Sequence, residues 1–462
     1  MSEGQTTPET SAAAPALRAG RFDLLALLLY ALSSALVMAH QVGGYGALAS
    51  EGALFAELHG ESLERPWQLG ELLPYRYRPV FRALVMSAYR AGEPSPERFF
   101  QLFVLASGLS LFLAAGAFHW LLRALAFTRR QALGGVALFF LSFPVVFSHD
   151  MPIHTREDFL GYAWIALTLL ALARERVWLA CLLACVGGSI RETCLLGLLP
   201  YLLIARPEHS AWLSRFGGSA ASGVGGGQGA LSERARHWLH VGLVFAIPGA
   251  TWLAVRAWRS TGESYDYWGV STSPTFQFPL EALLYAFAAF GALWVAAALR
   301  LAQRQPPRHP LLAPRVVALA VVASLGTGWT LGMVREARIT FILFPFVIPL
   351  ALEALCQPRV RAGLRERKAW LAAAAVLLAY GLWLHWLRQD PTRVDGVQRY
   401  LAESFNVGVA PLRQLPDGRV VEWAFASPLN GLHVALNLAA SLWLLVVWRV
   451  GPSAGDPDRT PG

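Results

Sequence analysis

Residues 187–203 read GGSIRETCLLGLLPYLL and set Arg191 and Glu192 side by side between two nearly uncharged apolar runs, 177–190 and 194–205. An ionised side chain inside a bilayer costs at least about 2.5–3.5 kcal/mol, so such residues are paired or functional. How the chain passes this point decides where its charges fall. If 177–205 is one span, the loop that follows, with Arg206, Arg215, Arg234 and Arg236, faces outside. If the chain turns at 187–192, two short limbs form a hairpin and those arginines return to the cytoplasm. Gly187, Gly188 and Ser189 favour a break, and limbs this short suit a partly re-entrant or thinned region. The hairpin is the expected arrangement.

The rest of the sequence supports a membrane setting. Of its 462 residues 55% are hydrophobic and only 15% charged, and apolar runs near bilayer length recur along the chain. A soluble fold of this size needs far more charged surface. The net charge of +9 is almost wholly arginine, with Lys368 the sole lysine. It reads through the positive-inside rule rather than as a nucleic-acid footprint. Cys181, Cys185, Cys194 and Cys356 all fall in apolar segments, which indicates neither a disulfide framework nor a zinc site. No small-residue cleavage site follows the first apolar run, so it reads as a signal anchor.

Spans are expected at 22–42, 99–122, 132–148, 159–173, the hairpin 177–190 and 194–205, 240–258, 280–300, 316–334, 339–356, 370–387 and 429–448. The expected fold is all-α: a polytopic integral membrane protein of about twelve transmembrane or partly re-entrant helices, with both ends cytoplasmic. Residues 1–21 and 450–462 are expected to be disordered cytoplasmic termini around one helical domain, 22–449. Within it, 43–98 forms the first outer loop, 206–237 a flexible glycine-rich cytoplasmic loop and 388–427 the last outer loop. The inner loops then collect Arg123, Arg129, Arg130, Arg174, Arg176, Arg300, Arg304, Arg308 and Arg315, and the dense RVRAGLRERK of 359–368.

With that topology the mixed-sign segments share the outer face. The first outer loop carries Glu51, Glu57, Glu61 and Glu64, any of which can take a proton from a substrate hydroxyl or simply be a solvated loop residue. Glu51 is favoured, followed by Glu57, because Glu51 lies closest to the end of the first span, where a rigid element can position it. PYRYRP at 74–79 alternates rings with the guanidinium groups of Arg76 and Arg78, suited to forked phosphate contacts or to interfacial anchoring. HDMPIHTRED at 149–158 offers Asp150 and His154. It could ligate a divalent ion, but no helical ligand pair stands out and Pro152 interrupts the spacing, so a polar cap is the main alternative and no metal is assigned. Arg191 and Glu192 are neighbours and point apart on a helix, so each needs another partner: the 149–158 segment, the 335–338 segment or a ligand. VREARITFILFPF repeats the pattern with Arg335, Glu336 and Arg338 heading an apolar run. Structural ion pairs are the alternative there. Tyr265, with Tyr267 and Trp268, supplies aromatic surface for a sugar or a lipid entrance.

In these residues the sequence resembles bacterial polytopic membrane proteins of the GT-C glycosyltransferase type. The features are an acidic first outer loop, YRYRP before a short helix, RETCLLGLLP after a short span, and REARITFILFPF, over roughly 22–355. The resemblance implies a lipid-phosphate-linked sugar as donor, an acceptor the sequence does not identify, transfer on the outer face of the cytoplasmic membrane, and a first-loop acid as base, with Glu51 the nearest match. Many relatives of that type carry Asp at the catalytic place, where this loop has only Glu before Arg65. No cofactor is indicated. A transporter or lipid flippase, or a catalytically silent membrane protein, is the competing class. The transporter reading predicts midplane polar residues and a two-half repeat, neither of which is evident.

Overall fold

The computed structural model describes residues 21–44, 78–93, 96–146, 157–215, 232–259, 279–303, 305–331, 337–371, 413–414, 420–421 and 428–451, with single helical residues between 374 and 382. Among them the chain is helical apart from one two-residue antiparallel ladder pairing Arg413 with Val421 and Gln414 with Val420. The helices are α1 (Arg21–Gly44), α2 (Pro79–Arg90), α3 (Pro96–Ala124), α4 (Arg129–Phe140), α5 (Glu157–Ala173), α6 (Val177–Ile190) and α7 (Glu233–Arg259). They continue with α8 (Pro279–Phe290), α9 (Ala292–Ala302), α10 (Pro314–Leu331), α11 (Ala337–Phe341), α12 (Phe344–Leu355) and α13 (Pro428–Val450), with shorter turns between. Four helices are long and apolar enough to cross a membrane, five if the bent pair α8–α9 is one span; five more apolar helices have 10–17 residues. The expected spans at 132–148 and 339–356 are each broken, into α4 and a short turn, and into α11 and α12. The expected span 370–387 lies mostly outside the described residues.

Lipid and protein share the apolar residues in a way that fits a bilayer. On α1, Leu24, Leu25, Leu28, Leu32 and Leu36 are all more than half exposed, a stripe that water would penalise and hydrocarbon does not. Helices in lipid associate through close packing rather than through apolar burial, which favours small residues at the contact. The central interface, α3 on α5, follows this rule: Ala114, Ala115, Ala163 and Ala166 are fully buried. A ring cluster fills the space beyond them, with Phe118 against Phe344 at 4.9 Å, Phe139 against Phe344 at 5.1 Å and Tyr162 against Phe341 at 5.2 Å.

The chain does reverse direction within 187–203. α6 ends at Ile190, Arg191 is extended (φ −160°, ψ 139°), and Glu192–Leu198 runs back as a 3-10 helix, followed by a helical turn over Tyr201–Ile204. Gly187 makes the turn possible, because a Cβ there would lie 2.8 Å from the Cβ of Cys194. A 3-10 helix rises about 2.0 Å per residue against 1.5 Å for an α-helix, so a limb with fewer helical residues matches the length of α6. The returning limb is tied down near the start of α7. Trp212 Nε1 donates to His240 Nδ1 (3.0 Å), so the His240 proton sits on Nε2 and is shared with the Tyr201 hydroxyl at 2.9 Å. Trp178, at the start of α6, meets the same His240 ring at 5.4 Å.

These contacts give the bundle two distinct ends. One is rich in arginine. Arg206 pairs with Glu175 at 3.1 Å, Arg315 donates to the Leu203 carbonyl, and Arg308 lies over the Phe127 ring at 5.0 Å. Arg300 and Arg308 share the buried Glu353, and Gln303 and Gln357 pair amide to amide. Beside them burial holds the His309 imidazole below its usual range, so that Nδ1 stays free to accept from the Leu311 amide at 3.2 Å. The other end carries Arg191.

The bent pair has a local cause. Between α8 and α9 the chain turns by 77° at Gly291, whose φ of +51° belongs to the left-handed region. The broken helix leaves backbone N–H groups that hydrocarbon cannot satisfy. Asn437 of α13 supplies the missing acceptor, taking the Ala292 N–H on Oδ1 at 3.1 Å. A Cβ on Gly291 would fall on that same amide.

Candidate functional site

Six charged side chains from five separate stretches meet at the Arg191 end. α5 begins with Glu157 and Asp158, so the Asp158 carboxylate sits at a helix N-terminus, where negative charge is favoured. Arg338, in α11, donates to its Oδ2 at 2.9 Å, and Arg191 contacts its Oδ1. Tyr162, one turn along α5, fixes the approach of α11 by donating from its hydroxyl to the Arg338 carbonyl at 3.1 Å. This inner trio is buried, with Asp158 and Arg191 side chains 5% and 6% exposed.

A second trio lies just outside it. Glu192, turned away from Arg191 by the extended residue between α6 and the 3-10 limb, accepts from Arg78 Nε on Oε2 and from Arg256 Nη2 on Oε1, each at 3.1 Å. Arg78 immediately precedes Pro79, which starts α2 at a position where a missing N–H costs nothing. Phe81, Val85, Met86 and Tyr89 recur on one face of α2 and pack on Phe103, Leu160 and Ile190, which fixes the helix beside the site. Arg256, near the end of α7, lies over the Trp252 ring at 4.3 Å. Glu192 and Arg256 are 23% and 24% exposed against 12% for Arg78 and 10% for Arg338, so the cluster opens outward through Glu192 and Arg256.

The arrangement is four guanidinium groups around two carboxylates. Both oxygens of each carboxylate are engaged by arginine, which leaves neither poised as a proton acceptor. What the cluster can do is hold an anion. Guanidinium forks match phosphate oxygens, and the acid that the outer pair shares, Glu192, is partly exposed, so an entering anion can compete with it. The inner trio acts as the rigid floor.

Four residues singled out in the sequence are brought together: Arg78, Arg191, Glu192 and Arg338. Arg191 finds its partner where expected, at the end of the 149–158 segment, whereas Glu192 finds Arg78 and Arg256, both outside the two segments expected to supply its partner. Glu51, Glu57, Arg76, Asp150, His154, Tyr265 and Arg335 lie outside the described residues. Two participants were missed. Asp158 was within a segment noted for its polarity, and its position directly before the apolar run FLGYAW marked it as a helix-start acid. Arg256 shares the signal used for Arg338, an arginine at the end of an apolar run that was expected to face outward. Among the described residues no group of three or more His, Cys, Asp or Glu is gathered to hold a metal ion. The four cysteines are free thiols.

Comparison of the chain with protein-family models, with curated proteins and with solved structures finds no match.

Proposed function

We propose that the chain is a membrane glycosyltransferase that moves a sugar from a polyprenyl-phosphate-linked donor to an acceptor at the Arg191 end of the bundle. The observation that carries this reading is the convergence of Arg78, Arg191, Arg256 and Arg338 on Asp158 and Glu192 at one end of an apolar bundle. A lipid chain stays in hydrocarbon while its phosphate reaches this end. Arg78 and Arg256 exchange Glu192 for phosphate oxygens, Arg191 and Arg338 meet the phosphate from beneath, and Arg76 and Arg335 are further candidates from the adjoining segments. In the reaction the bond between the sugar's anomeric carbon and the phosphate oxygen breaks, and one to the acceptor oxygen forms. The electron pair leaves with the phosphate, whose growing negative charge the arginines stabilise. The acceptor's proton goes to Glu51, with Glu57 the second choice. Tyr265, Asp150 and His154 are proposed to line the sugar.

The proposed setting is a bacterial cytoplasmic membrane, with about twelve transmembrane or re-entrant segments and both termini cytoplasmic. The concentration of Arg174, Arg176, Arg206, Arg308 and Arg315 at the opposite end supports it, since that end then faces the cytoplasm. A transporter or flippase draws on the helix broken at Gly291, since broken helices build transport sites. There, however, the free N–H is already capped by Asn437 and needs no travelling substrate.

The test is sugar transfer by purified protein in nanodiscs from a polyprenyl-phosphate sugar, with donor binding followed separately. Glu51→Gln keeps shape and hydrogen bonding but cannot take the proton. It is expected to lower transfer by roughly 10²–10⁴-fold with donor binding kept, while Glu57→Gln costs much less. Undiminished transfer in Glu51→Gln overturns that residue's role. No transfer by the wild type with any such donor overturns the enzymatic reading.

A further inference from the structure

At the arginine-rich end a second charged surface plays no part in the site above. Pro358–Gly363 forms a short helix, and the chain continues through a turn into the exposed residues up to Leu371. This segment is built onto α13 as a plate. Val360 and Ala369 are buried with Leu444 and Val447, and Leu364 packs against them. The approach is so close that a Cβ on Gly363 would fall on the Val447 carbonyl. Arg359 donates to the Trp448 carbonyl at 2.8 Å, and Trp443 Nε1 donates to the Ala369 carbonyl at 3.0 Å.

With its apolar side committed, the plate turns Arg361, Arg365, Arg367 and Lys368 outward, all exposed, against the single acid Glu366. None of the four makes an ion pair with a described residue. Directly after Lys368 come Trp370, 58% exposed, and Leu371, 68% exposed. Trp370 is held in place, because its Nε1 donates to the Leu364 carbonyl at 2.7 Å. Four cations therefore border an exposed indole and an exposed leucine on one rigid surface.

We propose that this plate binds the headgroups of anionic phospholipids. A soluble polyanion would satisfy the cations and make no use of Trp370 and Leu371. A lipid meets both demands, with its phosphate among the basic side chains and its acyl region against the indole and leucine. Tryptophan is favoured at headgroup depth, and basic clusters beside a membrane helix attract anionic lipid. Because the plate is fixed to α13, it presents its charges in one geometry, which makes it a site and not a diffuse charge.

The experiment uses the whole protein in phosphatidylcholine vesicles with spin-labelled phosphatidylglycerol or spin-labelled phosphatidylcholine, and compares the two lipids' association with the protein. The wild type is expected to select phosphatidylglycerol, with a preference that weakens as salt is raised. The variant Arg361→Gln/Arg365→Gln/Arg367→Gln/Lys368→Gln is expected to lose at least about two-thirds of that preference. Arg174→Gln/Arg176→Gln, at the same end of the bundle, is expected to keep it. Trp370→Ala, which leaves every charge in place, is expected to weaken it measurably. Equal association of the two lipids with the wild type overturns the proposal, as does an unchanged preference in the quadruple variant or an equal loss in the Arg174/Arg176 variant. Competition by inositol hexaphosphate that is undiminished in Trp370→Ala also overturns it, in favour of a soluble polyanion.

Discussion

Arg191 illustrates how one residue is read twice. Its guanidinium meets a buried carboxylate, so deleting it exposes two separable consequences. Arg191→Ala leaves Asp158 with Arg338 alone among its described ion partners, and breaking a buried pair typically costs about 3–5 kcal/mol. It is therefore expected to lower thermal stability in detergent as well as abolish donor binding. Arg191→Lys recovers little of either, since a point charge does not reproduce the fork. The discriminating variant is Asp158→Asn/Arg191→Gln, which removes both charges and keeps hydrogen-bonding groups. Unfolding should then return most of the way to wild type while binding of a polyprenyl-phosphate sugar stays lost. Recovery of binding in that double variant would reduce Arg191 to a counter-ion for Asp158. Arg191 and its need for a remote partner were legible in the sequence, because a lone charge in an apolar run poses the question by itself. The place of Asp158 was not, because it depends on which acid the first turn of α5 lifts into the bundle.

At the scale of elements the hairpin and the bent pair make a contrast. The hairpin was readable because GGS precedes charge and because the arginines downstream needed a return path. The bend at Gly291 was hidden: a straight and a broken helix have the same apolar composition, and the cap comes from Asn437, far along the chain. Its energetics can be tested through coupling. Gly291→Ala places a Cβ on the Asn437 amide and forces alanine to φ +51°, ψ −126°, a sparsely populated conformation costing roughly 1–3 kcal/mol even without the clash. Asn437→Ala removes the acceptor for the Ala292 N–H, and a lost cap costs about 0.5–2 kcal/mol. Each single variant is expected to lower the midpoint of thermal unfolding, followed by size-exclusion chromatography in detergent. The double variant should lose less than the sum, because alanine at 437 relieves much of the clash at 291. Strict additivity would show that the two residues do not act on one another.

For the whole molecule the decisive property is its separation into two chemically different ends. α2 packs on Leu160 and Ile190 beside the Asp158–Arg191 pair, which puts the exposed Ala91 at that end. Glu208 is exposed beside Arg206 and the Glu175 pairing, at the arginine-rich end. Cysteines placed at these positions report on opposite faces if the bundle lies across a membrane with its ends in different compartments. The background needs only Cys185 and Cys356 replaced by alanine, because Cys181 and Cys194 are buried. With a membrane-impermeant maleimide, Ala91→Cys is expected to react in right-side-out vesicles and Glu208→Cys only in inside-out ones. The positive-inside rule gives that direction, since the end carrying Arg174, Arg176, Arg206, Arg308 and Arg315 is held on the cytoplasmic side. Reaction of both cysteines from the same side would mean that the bundle does not separate its ends across the bilayer. The hairpin would then no longer account for where its arginines lie. The reversed pattern would keep the two ends and move the Arg191 site to the cytoplasmic leaflet, where a donor would have to be presented from inside.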